Sequence, residues 1–305
     1  MKNFLAVIVL VSLCSCNFGQ SQNRNLQQVT PRKENSSFKK VADELNALTD
    51  TYAGIYPYRQ DIVLLKDYGL TYKDFPKDTE EHIYSESFSA NKDSIDVFSL
   101  QEYYQGKIRQ KLAELTSYPD FGKANNEKLV NIFATKSADN KMYNFAYDEN
   151  TGGSYKSRIS YIYYTGQKGD QDQDIYNPDG YDTIIPLKSK SATRYLMMGE
   201  IIGCNSCMGH YAKVVHYEKG QPVVDFEYEL GTGMGYENAI EYNPATKTLW
   251  VHYTTDDHTQ YCYCNNGDKK EYTDEEVPEH HCSCTFKFNG TTFELTGQKD
   301  EPVKQ

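Results

Sequence analysis

Six cysteines in the C-terminal half of this 305-residue chain come as three close pairs: Cys204 and Cys207 in Cys-Asn-Ser-Cys, then Cys262 and Cys264, then Cys282 and Cys284. In a reducing compartment such pairs suggest zinc, and Cys262, Cys264, Cys282 and Cys284 beside His280 and His281 could form a tetrahedral thiolate site. In an oxidising compartment the same thiols become disulfides. Residues two apart on a strand have α-carbons about 7 Å apart, at or past the limit for bridging, so each Cys-x-Cys must reach a partner strand. Pairing Cys262 with Cys284 and Cys264 with Cys282 keeps one antiparallel register and leaves Asn265 to His281 as a charged loop on a doubly stapled hairpin. Cys204 and Cys207 can close a tight turn on themselves. A thioredoxin-like role for them fits less well, because Gly203 and Gly209 flank them where a helix N-terminus would be needed.

Acidic side chains form the second cluster: Asp170, Asp172, Asp174, Asn177, Asp179 and Asp182, around Gly169 and Gly180. Alternating aspartates are hard oxygen ligands, which makes Asp170, Asp172 and Asp174 candidate calcium ligands. An EF-hand would need Gly where Ile175 stands and Glu where Tyr181 stands, so a solvated acidic loop is the plainer reading. Asp256, Asp257 and His258 form a smaller polar tip of the same kind. His210 and His216 flank a strand-like run on one face and read as structural. The chain has no G-x-S-x-G elbow, H-E-x-x-H pair, phosphate-cradling loop or dinucleotide fingerprint. A glycosidase needs only two carboxylates, and 43 acidic residues give no means of choosing among them. The expectation is no resident cofactor, with Ca2+ or Zn2+ as the alternatives.

The N-terminus chooses between the two fates of the cysteines. After Met1-Lys2-Asn3, the stretch Phe4 to Leu13 is apolar except for Ser12, the pattern of a secretory signal and too short for a bilayer span. Leu13-Cys14-Ser15-Cys16 resembles the lipobox of bacterial lipoproteins, with leucine three before Cys16 and a small residue directly before it. The resemblance implies cleavage after residue 15, a diacylglycerol on the Cys16 thiol and usually an acylated amine; two or three acyl chains hold firmly where one does not. Asn17 in place of Asp is similar to the enterobacterial sorting pattern for the outer membrane. Localisation is therefore expected in the cell envelope, with the membrane a partner through the lipid. Export in turn favours disulfides over zinc.

Charge narrows the partners further. There are 32 basic and 43 acidic side chains, a formal −11, and loss of Lys2 with the signal makes the mature chain one unit more negative. That balance argues against nucleic acid and anionic headgroups. Of the aromatics, 27 are Tyr, 13 Phe and one, Trp250, is Trp; tyrosine suits half-exposed sheet faces and ligand-facing surfaces alike, and a single Trp does not signal a sugar-stacking platform.

The elements that must position these groups read as follows. Residues 16–35, rich in Gln, Asn and Ser, are expected to be a flexible tether. Residues 36–120 form a helix-rich region: one helix from Ser37 to about Thr51 on Phe38, Val41, Leu45 and Leu48, and a second opened by a Ser99/Glu102 capping box and closed at Tyr118-Pro119. A short strand is expected at Ile62 to Leu65. Residues 121–300 read as antiparallel β structure, with strands at 129–134, 141–147, 157–164, 195–202, 211–217, 223–229, 239–242, 249–254, 282–288 and 292–295. The turn at Asn289-Gly290 is expected to be type I′, with positive φ at both residues. The run Asp139 to Asp148, followed by Thr151-Gly152-Gly153-Ser154, resembles a strand-turn signature of exported bacterial proteins, Asp-Gly-Lys, a strand ending in Trp-Asp, then Thr-Gly-Gly-Thr, with Asn140 for the Gly and Tyr147 for the Trp. It implies a hairpin and no activity.

The fold class is thus α+β: N-terminal helices, then a mainly antiparallel meander, sandwich- or propeller-like. The functional expectation is a lipid-anchored, non-enzymatic binding or scaffold module with a protein or glycan partner; the alternative is an extracytoplasmic hydrolase acting on glycan or peptide.

Overall fold

A computed structural model of the chain describes residues 38–75, 87–118, 121, 129–150, 156–166, 180–189, 192–204, 207–231, 238–255, 264 and 279–303. Helix α1 (Phe38–Ala53) buries Val41, Ala42, Leu45, Thr49 and Tyr52 along the expected stripe. Helix α2 (Val97–Thr116) buries Leu100, Tyr104, Ile108, Leu112 and Leu115. Its start differs from the expectation, because Asp96, not Ser99, is the N-cap and its carboxylate accepts from the Ser99 backbone N at 2.9 Å. Aspartate caps as well as serine does, and this one ends a strand that runs directly into the helix. Between the helices, β1 (Ile62–Leu64) pairs antiparallel with β2 (Ser94–Asp96).

Eleven further strands form three antiparallel sheets, each a meander in chain order. The first holds β3 (Phe133–Lys136), β4 (Met142–Asp148) and β5 (Arg158–Tyr164). The second holds β6 (Thr183–Leu187), β7 (Arg194–Cys204), β8 (Cys207–Glu218) and β9 (Gln221–Leu230). The third holds β10 (Asn238–Asn243), β11 (Thr248–Thr255), β12 (His280–Phe288) and β13 (Phe293–Pro302). The architecture is mixed α+β and, among the described residues, no sheet closes into a barrel. Residues 129–132 precede β3 rather than belonging to it, and β6 is a strand the sequence did not announce. Its Pro186 is tolerated because β6 lies at a sheet edge.

Alternation along the strands decides how the layers stack. On β4, Tyr143, Phe145 and Tyr147 turn into a core shared with α1, α2 and the β1–β2 ribbon. Met142 of the same strand, with Ile162 of β5, turns into a second core with Tyr195, Met197, Tyr211 and Val215 of the second sheet. Leu196, Ala212, Val214 and Tyr228 leave the opposite face of that sheet for a third core, against Leu249, Val251, Tyr253, Phe286 and Phe293. The order is therefore helices, first sheet, second sheet, third sheet. Strands apolar on both faces can be stable only between two partners.

Turns fit this stack locally. Lys219 and Gly220 both take positive φ, 54° and 84°, the type I′ signature, between β8 and β9. At Asn289-Gly290 only Gly290 is left-handed, with φ 105°. The expected two-residue turn is instead a longer loop in which the Asn289 side-chain oxygen accepts from the backbone N of Thr291 and Thr292, an Asx turn that replaces the backbone strain of type I′. Asn140, standing where the resembled signature has Gly, has φ 55°. Gly152 and Gly153 lie outside the described residues.

Two glycines give opposite expectations. A Cβ on Gly199 would collide with the Gly180 carbonyl and the Tyr211 hydroxyl, while one on Gly106 meets nothing within 4 Å on an exposed turn of α2. Gly199→Ala should cost about 1–3 kcal/mol, and Gly106→Ala should gain roughly 0.5–1 kcal/mol; urea denaturation reads both, and the same sign for the two would contradict the packing. The second expectation concerns alkali. Tyr195 is fully buried and donates to an Asp139 carboxylate oxygen at 2.9 Å; burial, then that carboxylate, pushes its phenol well above the ordinary range. A group with a raised folded pKa contributes its stability in full below the unfolded value and loses it as pH rises through about 10 and beyond. Unfolding free energy should fall above about pH 10, and less steeply in Tyr195→Phe; equal slopes would remove Tyr195 from the effect.

Candidate functional site

Among the described residues, the third sheet is covered on only one of its faces. On β11, Leu249, Val251 and Tyr253 point into the core, so Trp250 and His252 point out, and Trp250 is 40% exposed. Cross-strand register assembles two rungs on that outer face. One runs Glu241, Trp250, Thr285, Gly297 and the other Ala239, His252, Ser283, Lys299. Ala239 and Gly297 leave the surface low at both margins. The indole thus stands on a face that also carries a carboxylate, an imidazole, two hydroxyls and an ammonium, on a hydrogen-bonded sheet that bulges between Thr285 and Phe286. Such a surface can hold a flat, hydroxyl-rich ligand: the ring offers an apolar face for stacking and its neighbours offer hydrogen bonds.

Directly beneath it lies the cysteine chemistry. Cys282 and Cys284 alternate with Ser283 and Thr285 and are buried on the core side of β12. Cys264 bonds Cys284, with α-carbons 5.5 Å apart. The expected bridges Cys262–Cys284 and Cys264–Cys282 are therefore not the ones formed. The expectation required the Cys262–Cys264 segment to pair beside β12, but both edges of β12 are taken, by β11 and β13. Cys264 instead meets the core-side face of β12 as a buried member of the core, so strand register does not govern its pairing. Cys282 and Cys207 are each disulfide-bonded as well, to partners outside the described side chains, and the backbone places Cys207 opposite Cys204 at the β7–β8 end. The Cys204 side chain and Cys262 lie outside the described residues. With Cys264, Cys282 and Cys284 oxidised, the four-thiolate zinc site has lost its ligands.

A polar constellation that the sequence reading left aside sits on the second sheet. Arg194, with 5% of its side chain exposed, donates from Nε to Asp225 Oδ2 at 2.9 Å and from Nη1 to Ser189 at 2.9 Å. His216 Nδ1 meets the same Asp225 oxygen at 2.8 Å, and Thr292, from the β12–β13 loop, donates to the Asp225 carbonyl at 2.8 Å. Arg194 and His216 are cross-strand partners. Asp225 joins them because β9 bulges there: Val214 pairs with Phe226 and Val215 with Val224, so Asp225 is the extra residue and its side chain is re-aimed. The available signal was Arg194 at the start of an apolar run and Asp225 interrupting another, between Val224 and Phe226. His216, read as structural, does belong to an ion cluster; His210 lies 3.6 Å from Glu200.

Asp170, Asp172 and Asp174, like Asp256, Asp257, His258 and Cys16, lie outside the described residues. Among the described residues no group of three His, Cys, Asp or Glu is placed to hold a metal ion, and no helix is long and apolar enough to cross a membrane. No family model, curated protein or solved structure matches the chain.

The ion cluster has a measurable consequence. Asp225→Ala would leave Arg194 buried against an imidazole without its counter-charge, and breaking a buried pair in this way costs about 3–5 kcal/mol. Replacing Arg194 and Asp225 together by Met and Leu should cost clearly less. A single substitution as mild as the double one, in urea denaturation, would show that the charges are solvated.

Proposed function

We propose that this chain is a lipid-anchored cell-envelope protein whose folded body is a non-enzymatic binding module for glycan. In this reading residues 1–15 direct export, Cys16 carries the lipid, and residues 16–35 tether the body to the membrane, in the outer membrane by the Asn17 pattern. The disulfides at Cys264, Cys284, Cys282 and Cys207 support an oxidising compartment. The stacked meanders serve as a sandwich-like rigid mount.

The binding role rests on one observation: the chain's single tryptophan is exposed on a polar, small-residue face that cross-strand register assembles. A sheet face fixes its side chains at spacings of about 5 Å across strands, which suits recognition of a sugar ring and its hydroxyls.

Because Trp250 is the only indole, its fluorescence reports on that face alone. Titration with soluble oligosaccharides from envelope glycan should give a saturable change. Trp250→Ala should weaken retention on the insoluble glycan about ten-fold, the equivalent of roughly 1.4 kcal/mol. Membrane fractions should contain wild type bearing acyl mass at Cys16, and Cys16→Ser should be unlipidated. Unaltered retention of Trp250→Ala would end the glycan reading, and a soluble wild type cleaved elsewhere would end the anchoring one.

A further inference from the structure

Large apolar side chains are exposed together near the β1–β2 ribbon. Tyr58 is 72% exposed, Ile62 64%, Phe98 60%, and Leu64 and Tyr56 are exposed beside them. Chain geometry brings them to one place. Tyr56 and Tyr58 lead into β1, whose Val63 faces the core so that Ile62 and Leu64 face out. The Val97 backbone N donates to Asp61 O, fixing the first turn of α2, and with it Phe98, beside the start of β1. Arg59 lies over the Tyr56 ring, 4.9 Å from its centroid. Aromatic rings with polar tips, aliphatic side chains and a stem that can lift its charge outward are the mixture that seats in the boundary between headgroups and acyl chains.

Resting on the lipidation of Cys16, we infer that this patch is a second membrane contact, which lays the helical layer against the bilayer surface. What selects a lipid surface over another protein is the reach of the preceding chain. Residues 17–37, twenty-one in number, lie between Cys16 and Phe38, and a flexible chain of such a length spans about 25 Å root-mean-square. The patch begins where α1 ends, and α1, at 16 residues, is about 24 Å long. Tether and span match, the condition under which a tethered surface is held at its highest effective concentration. The acidic balance of the chain makes a zwitterionic surface the partner, with anionic lipid weakening the contact.

The test uses the full lipidated chain in phosphatidylcholine vesicles carrying brominated acyl chains, which quench nearby indoles. Wild type reports from Trp250; a Phe98→Trp, Trp250→Phe variant reports from the patch. The patch reporter should be quenched roughly three-fold more strongly than Trp250, and adding Ile62→Ser with Leu64→Ser should bring it down to the Trp250 level. Equal quenching in protein that floats with the vesicles would overturn the contact and leave the anchoring intact. Failure to float would overturn both. An unquenched reporter together with a sedimenting dimer that Ile62→Ser and Leu64→Ser dissolve would assign the patch to a second copy of the chain, against the inference.

Discussion

Burial on both faces of the middle sheets is the constraint from which the rest of the structure follows. Strand β4 shows it most sharply, with Met142 to Tyr147 all buried. One side must meet the helices and the other the second sheet, because neither row of side chains can be left in water. The second sheet inherits the same demand and passes it to the third. The sequence of layers ends only where a strand finally alternates, on β11, and that is where Trp250 and His252 come to the surface. The exposed face is thus a product of the packing rather than an addition to it.

Much of this was legible in the residues. The helical stripes of α1 and α2 and most of the antiparallel strands follow from periodicity, since apolar spacing is what burial selects. What escaped was structure determined by contacts distant in sequence. The β2 strand is three residues long and borrows its stability from β1. The cap of α2 falls to Asp96 because β2 ends there, which a local capping pattern at Ser99 and Glu102 cannot reveal. The turn at Asn289 is a local exception, where the side-chain oxygen takes the backbone N of Thr291 and Thr292 alongside the backbone bond from Asn289 N to Thr292 O. The cysteine pairing failed for a topological reason: a register argument assumes that the two segments are neighbours in a sheet, and β12 already has both neighbours.

The candidate site was half legible. Trp250 could be noticed as a lone indole with His252 two residues on, but Glu241 of β10 and Thr285 and Ser283 of β12 join them only through cross-strand register. The Arg194, His216 and Asp225 cluster depends on a single extra residue in β9, and a bulge leaves no mark in an alternation pattern other than a charge where none is expected. The two polar features also differ in kind. One is a buried ion group that fixes strands to each other; the other is a surface whose side chains are supported from below by the Cys264–Cys284 bridge.

The serial order of the layers has a mechanical meaning. The chain enters this body through α1, and the outer face of the third sheet lies at the opposite end of the stack. A pull between those two ends is carried by three packed interfaces in turn, the one between the first and second sheets reinforced by hydrogen bonds such as Lys156 N to Ile202 O and Tyr195 to Asp139. Strand-to-strand hydrogen bonds within a sheet run across that direction and are spared, so rupture would begin at the weakest interface and not within a sheet. With layers about 10 Å apart, the body acts as a short stiff spring whose compliance is set by side-chain packing.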